Sequence, residues 1–382
     1  MAVRQLSVGI GRRNYGYTRV AYGLPVPDVK YRKIPYLPWR YLRRGDPRLE
    51  NTYLFAPLPR VDLYHLWNGV SLGGRPWVTT QEAHLPRHPG HRPGWWHELS
   101  MRCLRSDSCP RILPFSEYSR RFFLWQHRDQ LDPELTSKLQ VFRGALPINA
   151  VRCRLHQQFL ERQSEGLTLI YIGHDYFQKG GVPLLRAFLR LKDRLPELRL
   201  RIISRLRTGD FVTQSTPADA AREKLLLRSD PRIEWHESLP NAEVMERIVT
   251  SHVGILASLD DQQPWSVLEC MSVGVPTIAS AITAIPEAVT EGTTGWLLPL
   301  PTSENLRWTG LQAPQGSDER RRRVADAHEE MTRHLVDRIS FLYDNAKVLQ
   351  SMRQACITHV QSNHDPATQA MALRRIYDEA LA

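Results

Sequence analysis

From residue 61 onward, short apolar runs alternate with stretches in which apolar side chains recur every three or four residues. The runs VDLYHLW (61–67), PWVTTQ (76–81) and RILPFS (111–116) read as buried strands. Residues 95–105 and 117–125 carry the helical spacing. Runs of four to seven apolar residues separated by helices argue for a parallel sheet of the α/β kind. The second half repeats the pattern more regularly. Strands are predicted over 167–173, 198–204, 233–235, 252–256, 276–280 and 295–298, and helices over 182–194, 217–227, 241–250 and 265–273. Such repetition describes a doubly wound sheet, in which ligands bind outside the carboxyl ends of the strands. Two long helices, 318–345 and 366–381, are expected to follow, the run Arg320–Arg323 being a solvated face of the first. Residues 5–10 read as a first strand, and the remainder of the first 60, rich in Pro, Tyr and Arg, as loops and short elements.

At 382 residues the chain is long enough for two cores, and a helical segment at 155–162 places the boundary between residues 143 and 166. No apolar run reaches the roughly 20 residues needed to span a bilayer, and the N-terminus lacks the apolar core of a secretory signal. Five scattered cysteines, with no CxxC pair, argue against a disulfide framework and against a zinc site. A cytoplasmic protein is expected. The charge is lopsided. Residues 1–150 hold 23 Lys/Arg against 11 Asp/Glu, a net +12 of the chain's +11, and six of the ten tryptophans. Either this half meets an anionic partner, such as a membrane surface or a phosphorylated acceptor, or the charges are merely solvated. No motif supports nucleic acid.

Three segments at strand ends carry the candidate chemistry. In Gly173-His174-Asp175-Tyr176-Phe177-Gln178-Lys179-Gly180, a glycine-flanked lysine stands at a helix start, where free backbone N–H groups, the helix dipole and a point charge suit phosphate. Strand–Gly–helix connections are also ordinary loop chemistry. In Asp260-Asp261-Gln262-Gln263-Pro264-Trp265-Ser266-Val267-Leu268-Glu269, Pro264 suits the first helical position. Asp261 and Glu269 could then accept hydrogen bonds from sugar and ribose hydroxyls, or could cap the helix and pair with an arginine. The third segment, IPEAVTEGTTGWLL (285–298), turns on two glycines into a strand.

In this order and spacing the three segments resemble the donor domain of family-4 retaining glycosyltransferases. The likeness runs from Tyr171 to Leu298 and includes Gly173, His174, Lys179 and Gly180, the spacing Asp261-x7-Glu269, and SVLECMSVGVPTIAS after it. It implies a GT-B fold: two Rossmann-like α/β domains facing across a cleft, with C-terminal helices packing back on the first. The expected division is residues 1–155 for the acceptor, 156–360 for the nucleotide-sugar donor and 361–382 as a returning helix. It also implies that Lys179 neutralises the donor diphosphate, Glu269 holds the ribose and Asp261 meets the sugar. Backbone N–H groups around Trp265, Ser266 and Val267 would meet sugar or phosphate. No cofactor or metal is implied, and no DxD motif is present. Two departures stand out: Asp261 is a methylene shorter than the family's usual Glu, and His174 replaces a common Arg.

On the acceptor side the resemblance is looser, and it points to Gln81-Glu82 after the strand 76–81. Glu82 is the candidate to orient or deprotonate an acceptor hydroxyl, with His84 behind it, or else a surface or capping carboxylate. Ser116 in FSEYS (115–119) is expected to start a helix. The implied activity is transfer of a glycosyl group from a nucleotide diphosphate sugar to a sugar, lipid-linked or other hydroxyl, catalysed by Glu82, Lys179 and Asp261. Surface polysaccharide or glycolipid synthesis, with peripheral contact at the inner face of the membrane, would suit the basic first half. A nucleotide-sugar epimerase or an inactive nucleotide-sugar-binding protein on the same fold are the rival readings.

Overall fold

The computed structural model describes residues 4–11, 24–34, 52–53, 61–87, 94–162 and 166–382. Most of the loops and short elements expected in the first 60 residues lie outside the described residues. The chain forms two units, Met1–Leu146 together with His364–Ala382, and Pro147–Asn363. The second is continuous in sequence and the first is not.

In the first unit, β1 (Leu6–Ile10), β2 (Val29–Lys33), β4 (Leu63–Trp67), β6 (Trp77–Gln81) and β7 (Arg111–Pro114) pair in the order β2-β1-β4-β6-β7, all parallel. Two short strands, β3 (Thr52–Tyr53) and β5 (Val70–Ser71), pair beside them. Every residue of β6 is buried, as in a sheet covered on both faces. Helix α1 (Trp95–Arg105) buries His97, Ser100, Met101 and Leu104 at helical spacing. Ser116 caps α2 (Glu117–Gln126) by accepting from the Ser119 N–H, and Asp132 caps α3 (Pro133–Ser137) the same way. The last helix of the chain, Pro366–Glu379, also belongs here. It buries Leu373, Ile376 and Tyr377, and Arg374 donates to the Arg4 and Pro27 carbonyls at 3.0 and 2.9 Å. The Tyr377 hydroxyl lies 2.7 Å from His65 Nδ1, and His65 Nε2 lies 2.7 Å from Thr80 Oγ1. Burial holds the His65 pKa down to about 3.

The second unit starts with α4 (Ala150–Arg162). It then alternates β8 (Leu167–Asp175), α5 (Gly181–Leu191), β9 (Leu198–Arg205), α6 (Pro217–Leu227), β10 (Ile233–His236), α7 (Asn241–Val249), β11 (Val253–Leu256), α8 (Trp265–Met271), β12 (Thr277–Ser280), α9 (Ile285–Ala288) and β13 (Gly295–Leu298). The six strands pair in parallel as β10-β9-β8-β11-β12-β13. Counted from β8 this is the 3-2-1-4-5-6 order of a dinucleotide-binding sheet, so the winding reverses between β8 and β11. Helix α5 buries Val182, Leu184, Leu185, Ala187, Phe188 and Leu191, and packs against α10 (Asp318–Asp344). A further helix, α11 (Lys347–His364), leads to the last, α12 (Pro366–Glu379).

Two features depart from the sequence reading. Helix α11 is absent from it: its apolar stripe is narrow (Leu349, Met352, Cys356, Val360), and only Asn345 and Ala346 separate it from α10. The run Arg320–Arg323 is not wholly a solvated face. Arg320 is buried and donates to the Leu311 and Ala313 carbonyls, because it shares a side of α10 with Val324, Ala327 and Met331. All five cysteines are free thiols. Among the described residues no helix is long and apolar enough to cross a membrane.

Candidate functional site

At the reversal point of the second unit, the loops leaving β8 and β11 meet. Gly173 and His174 are among the last residues of β8, and the loop after it carries Lys179 and Gly180; the β11 loop carries Asp260 and Asp261. Gly180 is the N-cap of α5 at φ +89°, and a Cβ there would stand 2.0 Å from the Ala257 carbonyl oxygen, so no other residue fits. This close approach joins the two loops. A Cβ on Gly173 would come within 3.0 Å of Lys179 Cβ, which places Lys179 directly over the strand end. Helix α5 starts with no side-chain cap.

Lys179 Nζ then reaches across to Asp261 Oδ2 at 3.0 Å and donates to the Asp260 carbonyl at 3.0 Å. The sequence places Lys179 and Asp261 as separate contacts to a ligand, and the structure brings them together as an ion pair. Asp261 is buried, and burial pushes its carboxyl above the ordinary range while Lys179 pulls it back. Its Oδ1 accepts from the Gln263 N–H at 3.2 Å. It does not cap α8, which has no side-chain cap and takes Pro264 as its N-cap, one position earlier than the proline preference predicts. Trp265 and Ser266 are half-buried in the first turn, and Val267 and Glu269 are buried. A seven-residue helix leaves its first N–H groups without intrahelical partners.

Several neighbours were not legible. Arg307 Nη2 stands 3.5 Å from Asp260 Oδ1, so the adjacent carboxylates Asp260 and Asp261 each face a cation. Thr283 Oγ1 donates to the Asp261 carbonyl, and the Thr283 N–H donates to the Leu306 carbonyl at 2.8 Å. Thr283 and Leu306 both hold positive φ, 50° and 55°, a cost of order 1–3 kcal/mol each that clusters at functional sites. No local signal in the sequence marks a non-glycine residue for that conformation. His174 is exposed, with Nε2 2.9 Å from Arg207 Nη1.

The first unit has its own strand-end group. Asn68, at the end of β4, is buried with φ 48°. Its Oδ1 accepts from the Glu82 N–H at 2.8 Å and its Nδ2 donates to Glu82 Oε2 at 3.4 Å. Glu82 follows β6, and Arg87 stands 3.7 Å from its carboxylate. The Ser119 hydroxyl holds the Glu82 carbonyl at 2.8 Å. Exposed His84 packs edge-on against Phe122. Ser116 starts α2, as expected. Among the described residues no group of three or more His, Cys, Asp and Glu side chains is arranged to hold a metal.

Residues 166–307 match the family model described as Glycosyl transferases group 1. That span takes in Lys179, Asp261 and Glu269 and ends on Arg307. Among solved structures, a glycosyltransferase from Rickettsia africae ESF-5 is similar over 84% of this chain and 77% of its own, at 13% identity and TM-score 0.56. HepE from Anabaena, crystallised with UDP and glucose, is similar over 98% of this chain and 99% of its own, at 11% identity and TM-score 0.60. Sucrose-phosphate synthase from Thermosynechococcus elongatus covers 84% and 73%, at 12% identity and TM-score 0.56. The fold is GT-B. It consists of two Rossmann-like units with the final helix returned to the first. No curated protein matches in sequence.

Proposed function

We propose that this GT-B protein is a retaining glycosyltransferase that moves a glycosyl group from a nucleoside diphosphate sugar to an acceptor hydroxyl. One observation carries the reading: the Lys179–Asp261 pair spans the two strand ends at which the winding of the second sheet reverses. A crevice at that point is where such sheets take their ligands, and Gly180 opens the adjacent helix start to a phosphate.

In this mechanism the bond from the anomeric carbon to the diphosphate oxygen breaks, and the acceptor oxygen bonds to the same face. Negative charge grows on the leaving diphosphate. Lys179, already fixed by Asp261 and the Asp260 carbonyl, stabilises it without reorganising. In this reading Asp261 meets sugar hydroxyls and Glu269 the ribose, with the N–H groups of Ser266 and Val267 between them, the Trp265 N–H being donated to the Gln263 carbonyl at 2.9 Å. Glu82, oriented by Asn68, takes or orients the acceptor's proton. No metal is required, because basic side chains and helix ends carry the charge. The acceptor is a sugar or lipid-linked hydroxyl of surface polysaccharide or glycolipid synthesis, met in the cytoplasm at the membrane face.

The test is a melting screen of the full chain against UDP, GDP, ADP and their sugars, followed by donor hydrolysis without acceptor. One nucleotide should raise the unfolding temperature, since a ligand at 100 times its Kd contributes about 2.7 kcal/mol. Its sugar should hydrolyse slowly with the anomeric configuration kept. If no nucleotide or nucleotide sugar shifts the transition and none hydrolyses, the assignment fails. Isomerised sugar would turn it into an epimerase.

A further inference from the structure

We propose that Arg207 is an anion-binding residue of the donor site, presenting its guanidinium to the diphosphate while neutral His174 holds it in position. The inference rests on the donor-site reading above and adds a residue to it.

Two cations of the site are already committed. Lys179 faces buried Asp261, and Arg307 faces buried Asp260. Each of these charges is matched inside the protein, whereas a diphosphate brings more than one negative charge to be met. Arg207 lies two residues past the end of β9, the strand next to β8. Its side chain is 60% exposed. One bond ties the end of β9 to the segment bearing Lys179: the Tyr176 N–H donates to the Arg205 carbonyl at 3.2 Å, and within that segment the Lys179 N–H donates to the Asp175 carbonyl at 3.0 Å.

The contact with His174 fixes the chemistry. Arg207 Nη1 lies 2.9 Å from His174 Nε2. A guanidinium has donors only, so Nε2 is the acceptor and the imidazole carries its proton on Nδ1. His174 therefore brings no charge in this arrangement; it orients one. Asp175 Oδ1 stands 3.5 Å from the same Nη1, the separation of the Arg307–Asp260 pair, but the Arg207 side chain is 60% exposed against 24% for Arg307, which leaves the rest of its planar fork open to a ligand. Gly173, which precedes His174, abuts Lys179. The path Lys179–Gly173–His174–Arg207 is continuous, with the two cations at its ends.

Calorimetric titration of the full chain with UDP, GDP and ADP, beside Arg207→Gln, Lys179→Gln and Arg207→Gln/His174→Arg, tests this. Losing a charge-assisted hydrogen bond to phosphate should weaken nucleoside diphosphate binding of Arg207→Gln by about tenfold or more. The double variant places a guanidinium at the neighbouring position 174 and should recover most of the loss. Equal affinity of Arg207→Gln and wild type, with binding lost in Lys179→Gln, overturns the role of Arg207 and leaves the donor site standing. A loss that the double variant does not recover assigns Arg207 to loop structure and overturns its phosphate role. Wild type binding none of the three nucleotides overturns both readings.

Discussion

Lys179 is held at its amine by two oxygens of one loop, so its removal acts on both charge and geometry. Lys179→Gln should lower kcat/KM for donor hydrolysis by about 10²–10³, the loss typical of one stabilising donor at a developing anion. Lys179→Arg should recover only part of it, because a planar fork does not reproduce an ammonium between Asp261 and the Asp260 carbonyl. Gly180→Ala is expected to cost more than about 2 kcal/mol in urea unfolding. The added methyl meets the Ala257 carbonyl, and the backbone stays at φ +89°. At this scale the sequence reveals which side chains are chemical, through glycine-flanked lysine and spaced carboxylates. It does not reveal that Lys179 and Asp261 face each other, since 82 positions separate them and only the sheet order joins the two loops. Arg307 and Arg207 stay hidden for the same reason.

Whole elements were easier to read because burial imposes a period. The central strands β11 and β12 are buried throughout, as a sheet covered on both faces demands, whereas β9 and β10 toward one edge interleave charged residues. Helix α11 escaped because its buried stripe is narrow and no turn cluster announces it. Several elements also bury a neutral histidine. His156 on α4 donates from Nδ1 to the Val249 carbonyl, and His252, just before β11, accepts the Thr168 N–H at Nδ1. Burial, ahead of nearby charges, lowers the pKa of each to about 4. Below the ordinary histidine pKa of about 6.5 the unfolded chain takes protons that the folded unit refuses, so stability falls as pH drops from there toward 4. Each such histidine contributes a slope of about 1.4 kcal/mol per pH unit. His252→Asn keeps an acceptor for Thr168 without a titrating ring. It should flatten the slope of unfolding free energy between pH 6 and 5 by about that amount, and an unchanged slope would show His252 to be charged in the fold.

Across the whole molecule, charge and fold divide the chain in similar ways. The first 150 residues carry net +12 and six tryptophans, and the remainder is nearly neutral. If that charge meets a membrane, the full chain should sediment with vesicles containing anionic lipid at about 0.05 M salt. It should leave them at about 0.5 M, where screening is complete within a few ångströms. Equal sedimentation with neutral vesicles would dismiss the membrane contact. The two-unit plan was legible from length and strand–helix alternation. The strand orders were not, because parallel pairing is fixed by crossovers rather than by any one residue.

The return of α12 to the first unit has a bearing on how the protein is made. Tyr377 completes the polar chain through His65 to Thr80, and Arg374 closes on Arg4 and Pro27. A ribosome emits these partners more than 300 residues apart, so the first unit must wait for residues 366–379 before its core is sealed. The donor half, emitted as one stretch, can finish meanwhile. A stop codon placed just before Pro366 should therefore yield a soluble, nucleotide-competent second half attached to a first half that proteases readily digest.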